Sequence, residues 1–174
     1  MLSSPEDQPN VDPALYRSVV GRFATGIAVV TTKSDGVEHA MTVNSLTSVS
    51  LEPVLVLFCA EKIARFHDTV IAAGQWAVSI LGGDAEEISR WFASRGRPLT
   101  DQLAGVKHSA GPVTGAPVLD DAIGVLECRT CGVYDGGDHS IVLGEVVAAS
   151  VPPGPAVPLL HYEGSYRRLE GGSS

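Results

Sequence analysis

Apolar positions fall in short clusters, with polar or glycine-rich breaks between them. Asp12 followed by Pro13 supplies a cap and a first turn, and Leu15, Val19, Val20 and Phe23 recur at helical spacing up to Gly26. One amphipathic helix is expected at the start. Residues 27–32 are rich in β-branched side chains, Ser34, Asp35 and Gly36 supply a turn, and residues 38–43 resume with weaker alternation, which predicts a hairpin. Residues 47–50 are short and polar. Pro53 then precedes an apolar run over 54–59, too short for a free-standing helix and read as a central strand.

Ile63, Phe66, Val70 and Ile71 predict a helix ending near Gly74, while over 76–81 Trp76, Val78 and Ile80 alternate with Ala77, Ser79 and Leu81 as in a strand. Gly82 and Gly83 break that strand. Asp84 is placed to cap a second short helix carrying Ile88, Trp91 and Phe92, and residues 94–116, rich in Gly, Pro and charge, read as loop. Strands over 122–128 and 140–150 flank a turn at Gly136 and Gly137, and a last short strand is expected over 159–162. Residues 1–11 read as a disordered N-terminal arm and 171–174 as a tail, leaving a single domain over 12–170. Strands at hairpin spacing outnumber the helices and do not alternate with them. The fold class is therefore mainly β, an antiparallel barrel with a few flanking α-helices, and a closed barrel is favoured over a doubly wound sheet.

Composition agrees with one compact unit. Of 174 residues, 44% are hydrophobic and 18% charged, enough apolar surface for a core without metals or disulfides as staples. Twenty acidic against twelve basic residues give a net charge of -8, which repels phosphate backbones and anionic membranes alike. No nucleic acid and no membrane partner is expected. The opening residues lack the basic end and apolar stretch of a signal peptide, and three cysteines suit a reducing compartment, so a cytoplasmic location is expected.

Residues 40–50 set Thr42, Asn44, Ser45, Thr47, Ser48 and Ser50 between two apolar strands. Such a stretch can wrap a polar planar ligand, or it can be a turn whose hydroxyls satisfy local backbone groups; the residues alone leave both open. Lys62 and Arg65 stand at an expected helix start, where the backbone also favours anions, and the alternative is a pair of solvated charges. His139 follows a glycine pair and precedes an apolar strand, placed either to face a cleft or to lie in solvent. Cys128 and Cys131 form a C-x-x-C, but Cys128 falls in a strand pattern where positions three apart point to opposite faces, so both read as packing residues. His39, His67, His108 and His161 have no metal spacing, and no metal site is expected. No nucleophile motif or phosphate-binding Walker loop appears.

Four spaced segments carry a resemblance. Ala24-Thr25-Gly26, Thr42-Val43-Asn44-Ser45, the run from Ser48, Val49 and Ser50 to Leu51-Glu52-Pro53, and Gly137-Asp138-His139 resemble the flavin reductase family, in the family's order and over about residues 15–169. The resemblance implies a split β-barrel homodimer that binds FMN or FAD non-covalently, reduces it with NADH or NADPH, and supplies reduced flavin to a separate flavin-dependent monooxygenase. A non-catalytic flavin-binding or flavin-storage module is the alternative, and turnover with excess flavin separates the two. It further implies that Met41, Thr42, Val43, Asn44 and Ser45, with Ser48, Val49 and Ser50 nearby, contact the flavin ring and ribityl chain. Cys59, Ala60, Lys62 and Arg65 fall at its phosphate end. His139 is implied as the catalytic residue on the nicotinamide side, with Asp138 orienting its ring or forming the turn. Many relatives carry a serine where Ala64 stands, so a phosphate hydrogen bond is missing here or comes from elsewhere.

Overall fold

The computed structural model describes residues 11–98, 100–154 and 156–169. The tail and all of the N-terminal arm but Val11 lie outside the described residues. Helix α1 (Pro13–Val20) starts at Asp12, whose carboxylate accepts from the Ala14 N–H at 3.0 Å. None of its residues is buried, and its apolar stripe, Leu15, Val19 and the following Phe23, is 60%, 63% and 75% exposed.

The strands follow as β1 (Thr25–Gly26), β2 (Ala28–Ser34), β3 (Val37–Val43), β4 (Thr47–Leu51) and β5 (Val54–Glu61). Asp35 at φ 51° and Gly36 at φ 79° turn β2 into β3, the paired positive dihedrals that match strand twist in a two-residue hairpin. Helix α2 (Arg65–Ala73) ends on left-handed Gly74, and β6 (Gln75–Leu81) and α3 (Glu86–Ala93) come next. Then come β7 (His108–Ala110), β8 (Pro117–Leu119), β9 (Ala122–Gly136), β10 (His139–Ser150), β11 (Leu159–Tyr162) and β12 (Ser165–Arg168).

Seven strands form one antiparallel sheet in the order β3-β2-β6-β9-β10-β5-β4. β5 and β6 are separated in that order by two strands, yet Phe58 on one and Trp76 on the other meet edge to face with ring centroids 4.9 Å apart. A flat sheet would hold them on the order of 14 Å apart, so the sheet is curled into a barrel around these rings. The ring of hydrogen bonds is not closed. β3 and β4 are consecutive in the chain but lie at opposite ends of the ladder, which makes this a split barrel and corrects the expectation of a closed one.

One hydrophobic cluster, with Val56, Phe58, Trp76, Val78 and Val142, fills the barrel; a second, with Val29, Leu81, Phe92, Leu103 and Leu159, packs α3 against the outside of the sheet. Gly144 on β10 is a close-approach position: a Cβ there would stand 2.3 Å from Cζ2 of the fully buried Trp76.

Three expectations of local structure need correction, and one unassigned stretch gains an element. Asp84 does not cap α3; the cap is Ala85, and the Asp84 carboxylate pairs with Arg168 at 2.7 Å. Residues 94–116 are not all loop, since β7 pairs with β8. The polar stretch over 47–50 belongs to β4, which pairs with β5 through an irregularity between Ser48 and Ser50. Finally, β9 does not stop near Cys128 but continues to Gly136, because β10 keeps pairing with it up to the tight turn at Gly137. The two cysteines do fall on opposite faces, but only Cys128 is fully buried; Cys131 is exposed, which corrects its reading as a packing residue, and burial, then Glu127, then Cys131, push the Cys128 thiol up to about 12. A thiol held protonated in this way is a packing group.

Candidate active site

A cleft of about 450 Å³ opens outside the barrel where the ladder is split. The end of β3 forms one wall, and the end of β5 with the start of α2 forms another. Residues following α3 close it on the third side, and the first residue of β10 stands at its rim. Strand alternation decides what each strand contributes. On β5 the side chains of Val56, Phe58 and Ala60 point into the barrel, which turns Cys59 and Glu61 outward to the cleft.

Of the residues singled out from the sequence, Met41, Thr42, Val43, Asn44, Ser45, Cys59, Arg65 and His139 line this one cleft. The Thr42 hydroxyl donates to the Ser89 carbonyl of α3 at 2.8 Å, and the Ser45 hydroxyl accepts from the Cys59 N–H at 2.9 Å, tying the β3 end to both other walls. Asn44 is exposed, and among the described residues its amide has no hydrogen-bond partner. Ala60 is buried inside the barrel, so its side chain does not reach the cleft. Ser48, Val49 and Ser50 sit on β4 outside the lining, with the Ser50 hydroxyl accepting from the Glu52 N–H at 3.2 Å.

Lys62 also falls outside the lining. Its ammonium pairs with Asp135 near the end of β9, and its backbone N–H donates to the Asp138 carbonyl at 3.0 Å. The hydrogen bond from the Lys62 ammonium, and then its charge, hold the Asp135 carboxyl below the usual carboxylate range. Asp138 does not line the cleft, but its carboxylate meets the His139 Nδ1 at 2.7 Å and is likewise held below its ordinary range, first by that hydrogen bond and then by the His139 charge. His139 presents a side chain 40% exposed at the rim and stands directly across the ladder from Glu61.

Three arginines enter the cleft, and sequence reasoning found only Arg65. The guanidinium of Arg97 donates to the carbonyls of Trp91, Phe92 and Ser94, and across the cleft base to the Ala40 carbonyl at 2.9 Å. Arg65 donates to the Arg97 carbonyl at 2.5 Å. Arg95 pairs with Glu61 through contacts of 2.8 and 3.2 Å. Burial and then the Arg65 charge lower both His39 and Arg97 from their ordinary values, a sign of how much positive charge is concentrated here in an acidic protein.

The residues fit a flavin. The volume lies in the range of small-molecule clefts, roughly 300–1,000 Å³. Met41 and the exposed Ile63 offer apolar surface for a planar ring, and Asn44 offers a donor and an acceptor. The N-cap of α2 is Ala64, which forms no side-chain cap; the His67 N–H donates to the Ala64 carbonyl at 3.0 Å, which leaves the N–H groups of Arg65 and Phe66 at the helix start for an anion. Among the described residues no group of three or more His, Cys, Asp or Glu is arranged to hold a metal ion, and no helix is long and apolar enough to cross a membrane.

Comparison with known proteins decides the family, because the model of the flavin reductase like domain matches residues 20–170. The chain belongs to the flavin reductase-like domain family. The reductase subunit HsaB of a flavin-dependent monooxygenase from Mycobacterium tuberculosis is 37% identical over 161 residues, covering 92% of this chain and 84% of that one. An NADH-dependent FAD reductase from Streptomyces globisporus is 43% identical over 140 residues, 80% of this chain and 76% of the relative. Among solved structures, the Streptomyces globisporus NADH:FAD oxidoreductase SgcE6 in complex with NAD and FAD fragments superposes with a TM-score of 0.87 at 38% identity, covering 96% of this chain and 100% of that one. The family and the split barrel expected from the four sequence segments are thus both found.

Proposed function

We propose that this chain binds a flavin in the cleft at the barrel split, with the isoalloxazine against Met41 to Ser45 and the phosphate toward Arg65, and that NADH enters from the His139 rim. The chain is an NADH:flavin oxidoreductase that supplies reduced flavin to a monooxygenase partner. The observation that carries the site reading is convergence: the end of β3, the β5–α2 junction and the start of β10, three separate stretches of the sequence, line one cavity. The bound flavin supplies the hydride acceptor. What remains for the protein is alignment of two planar groups, for which no nucleophile or metal is required.

Each residue then has a mechanical task. Thr42 fixes the β3 end to α3, Ser45 fixes it to β5, and Asn44 is left to meet the polar ring edge. Asp138 holds the His139 imidazole by its Nδ1, which leaves Nε2 for the dinucleotide. The relatives' names support NADH over NADPH, and both FAD and FMN occur among them. The exposed apolar stripe of α1 supports a homodimer, and sedimentation at micromolar concentration is expected to give a dimer. The three free thiols support a cytoplasmic setting.

Steady-state NADH oxidation with excess free FMN or FAD tests the proposal. Turnover well beyond one equivalent of flavin is expected, and a halt after one equivalent would leave only a flavin-binding or storage module. His139→Ala is expected to raise the KM for NADH about tenfold with flavin affinity unchanged; loss of flavin binding instead would move His139 to the other substrate. Because Lys62 is engaged with Asp135 and Arg65 lines the cleft, the two cations should separate. Arg65→Ala is expected to weaken FMN binding by about 1 to 2 kcal/mol and Lys62→Ala by less than about 0.5 kcal/mol, as read by fluorescence titration. Equal losses would restore Lys62 to the phosphate end.

A further inference from the structure

Arg95 and Glu61 both line the cleft, from opposite walls, and their ion pair spans it. The pairing is geometrically good, with one guanidinium nitrogen within 2.8 and 3.2 Å of the two carboxylate oxygens, but both partners are open to solvent, Arg95 77% and Glu61 33% exposed. Exposed ion pairs contribute little, so this one is easily exchanged. The other cations nearby are committed differently. Both terminal nitrogens of Arg97 serve backbone carbonyls of the fold, Arg65 donates to the Arg97 carbonyl, and Lys62 is turned away to Asp135. Among the described residues, Arg95 is the cleft guanidinium whose partner is a carboxylate, an oxyanion that a phosphate can replace like for like.

We propose that Arg95 is a binding residue for the anionic tail of the flavin, held in reserve by Glu61, which competes with the phosphate for it. The proposal rests on the reading of the cleft as the flavin site. When phosphate takes the guanidinium, Glu61 is released at the solvent-open rim, across the β5–β10 ladder from His139, where water can take up its carboxylate. The exchange makes the cleft selective for phosphorylated flavins. An uncharged ribityl chain gains nothing from Arg95 and has no means of displacing Glu61.

The test is a fluorescence titration of the full chain with FMN and, in parallel, with riboflavin, which lacks the phosphate. Glu61→Gln is expected to tighten FMN about threefold to tenfold, and Arg95→Ala to weaken it about tenfold, while riboflavin changes by less than about twofold in both. The double variant is expected to match Arg95→Ala alone, since Glu61 acts only through Arg95. Arg95→Lys, which keeps the charge without the planar fork, is expected to fall between. Equal changes for FMN and riboflavin, or additive effects in the double variant, overturn the proposal while leaving the flavin site in place. Wild-type protein that binds neither compound overturns the flavin reading itself, and this inference with it.

Discussion

Arg97→Ala is expected to lower the unfolding free energy by about 3 kcal/mol and to loosen flavin binding with it. The guanidinium serves four backbone carbonyls at once: three where α3 ends, and Ala40 on β3. Helix C-termini leave carbonyls that need donors, and a cation is favoured there. Each charge-assisted bond is worth about 1.5 to 3 kcal/mol where no water replaces it, but Arg97 is only half-buried and the bonds are lost together, so the sum is far smaller than four such terms. The side chain also stacks on Phe92, its guanidinium carbon 5.8 Å from the ring centre. Urea unfolding should show the midpoint falling by about 1.5 M, given a slope of about 2 kcal/mol/M. A shift under about 0.3 M would mean that water replaces these bonds without loss and that the cleft wall stands without Arg97.

Gly144→Ala carries a comparable penalty from the opposite cause, crowding. The new methyl would lie 2.3 Å from Cζ2 of Trp76 and within 3.1 Å of two more ring atoms. Trp76 has little room to retreat: its ring packs edge to face on Phe58, and its indole N–H donates to the Thr130 hydroxyl at 3.0 Å. The backbone of β10 must therefore move, at a cost of about 3 kcal/mol. Because β10 begins at His139, the displaced strand should also raise the KM for NADH. Trp76→Phe in the same chain relieves the clash, so the double variant should lose less than the two single losses combined. An unchanged melting curve for Gly144→Ala would show that the barrel interior has slack at this point.

The parts of the fold legible in the sequence are those fixed by local chemistry. Asp35 and Gly36 announce the β2–β3 turn because their backbone dihedrals exclude most other residues, and Gly74 announces the end of α2 for the same reason. The outer half of β9 carries no such signal: from Cys131 onward its side chains are mostly exposed, so no alternation of apolar and polar positions marks it as strand. The β3 segment of the candidate site was readable as a concentration of polar groups between apolar strands. Arg97 was not, because its meaning lies in a carbonyl 57 residues earlier in the chain. The Lys62–Asp135 pair is illegible for the same reason, since the two residues stand 73 apart in sequence.

The unpaired seam between β3 and β4 divides the molecule into regions of unequal opening cost. β9 and β10 are flanked by partners on both sides for much of their length, so their amides should exchange with solvent only on near-global unfolding, whereas the free edges of β3 and β4 should exchange through local fluctuations. The polar segment at the cleft begins on β3 and crosses that seam. Transient opening therefore falls to one soft margin while the rigid spine keeps its register, a mechanical arrangement suited to a protein that supplies reduced flavin to a partner.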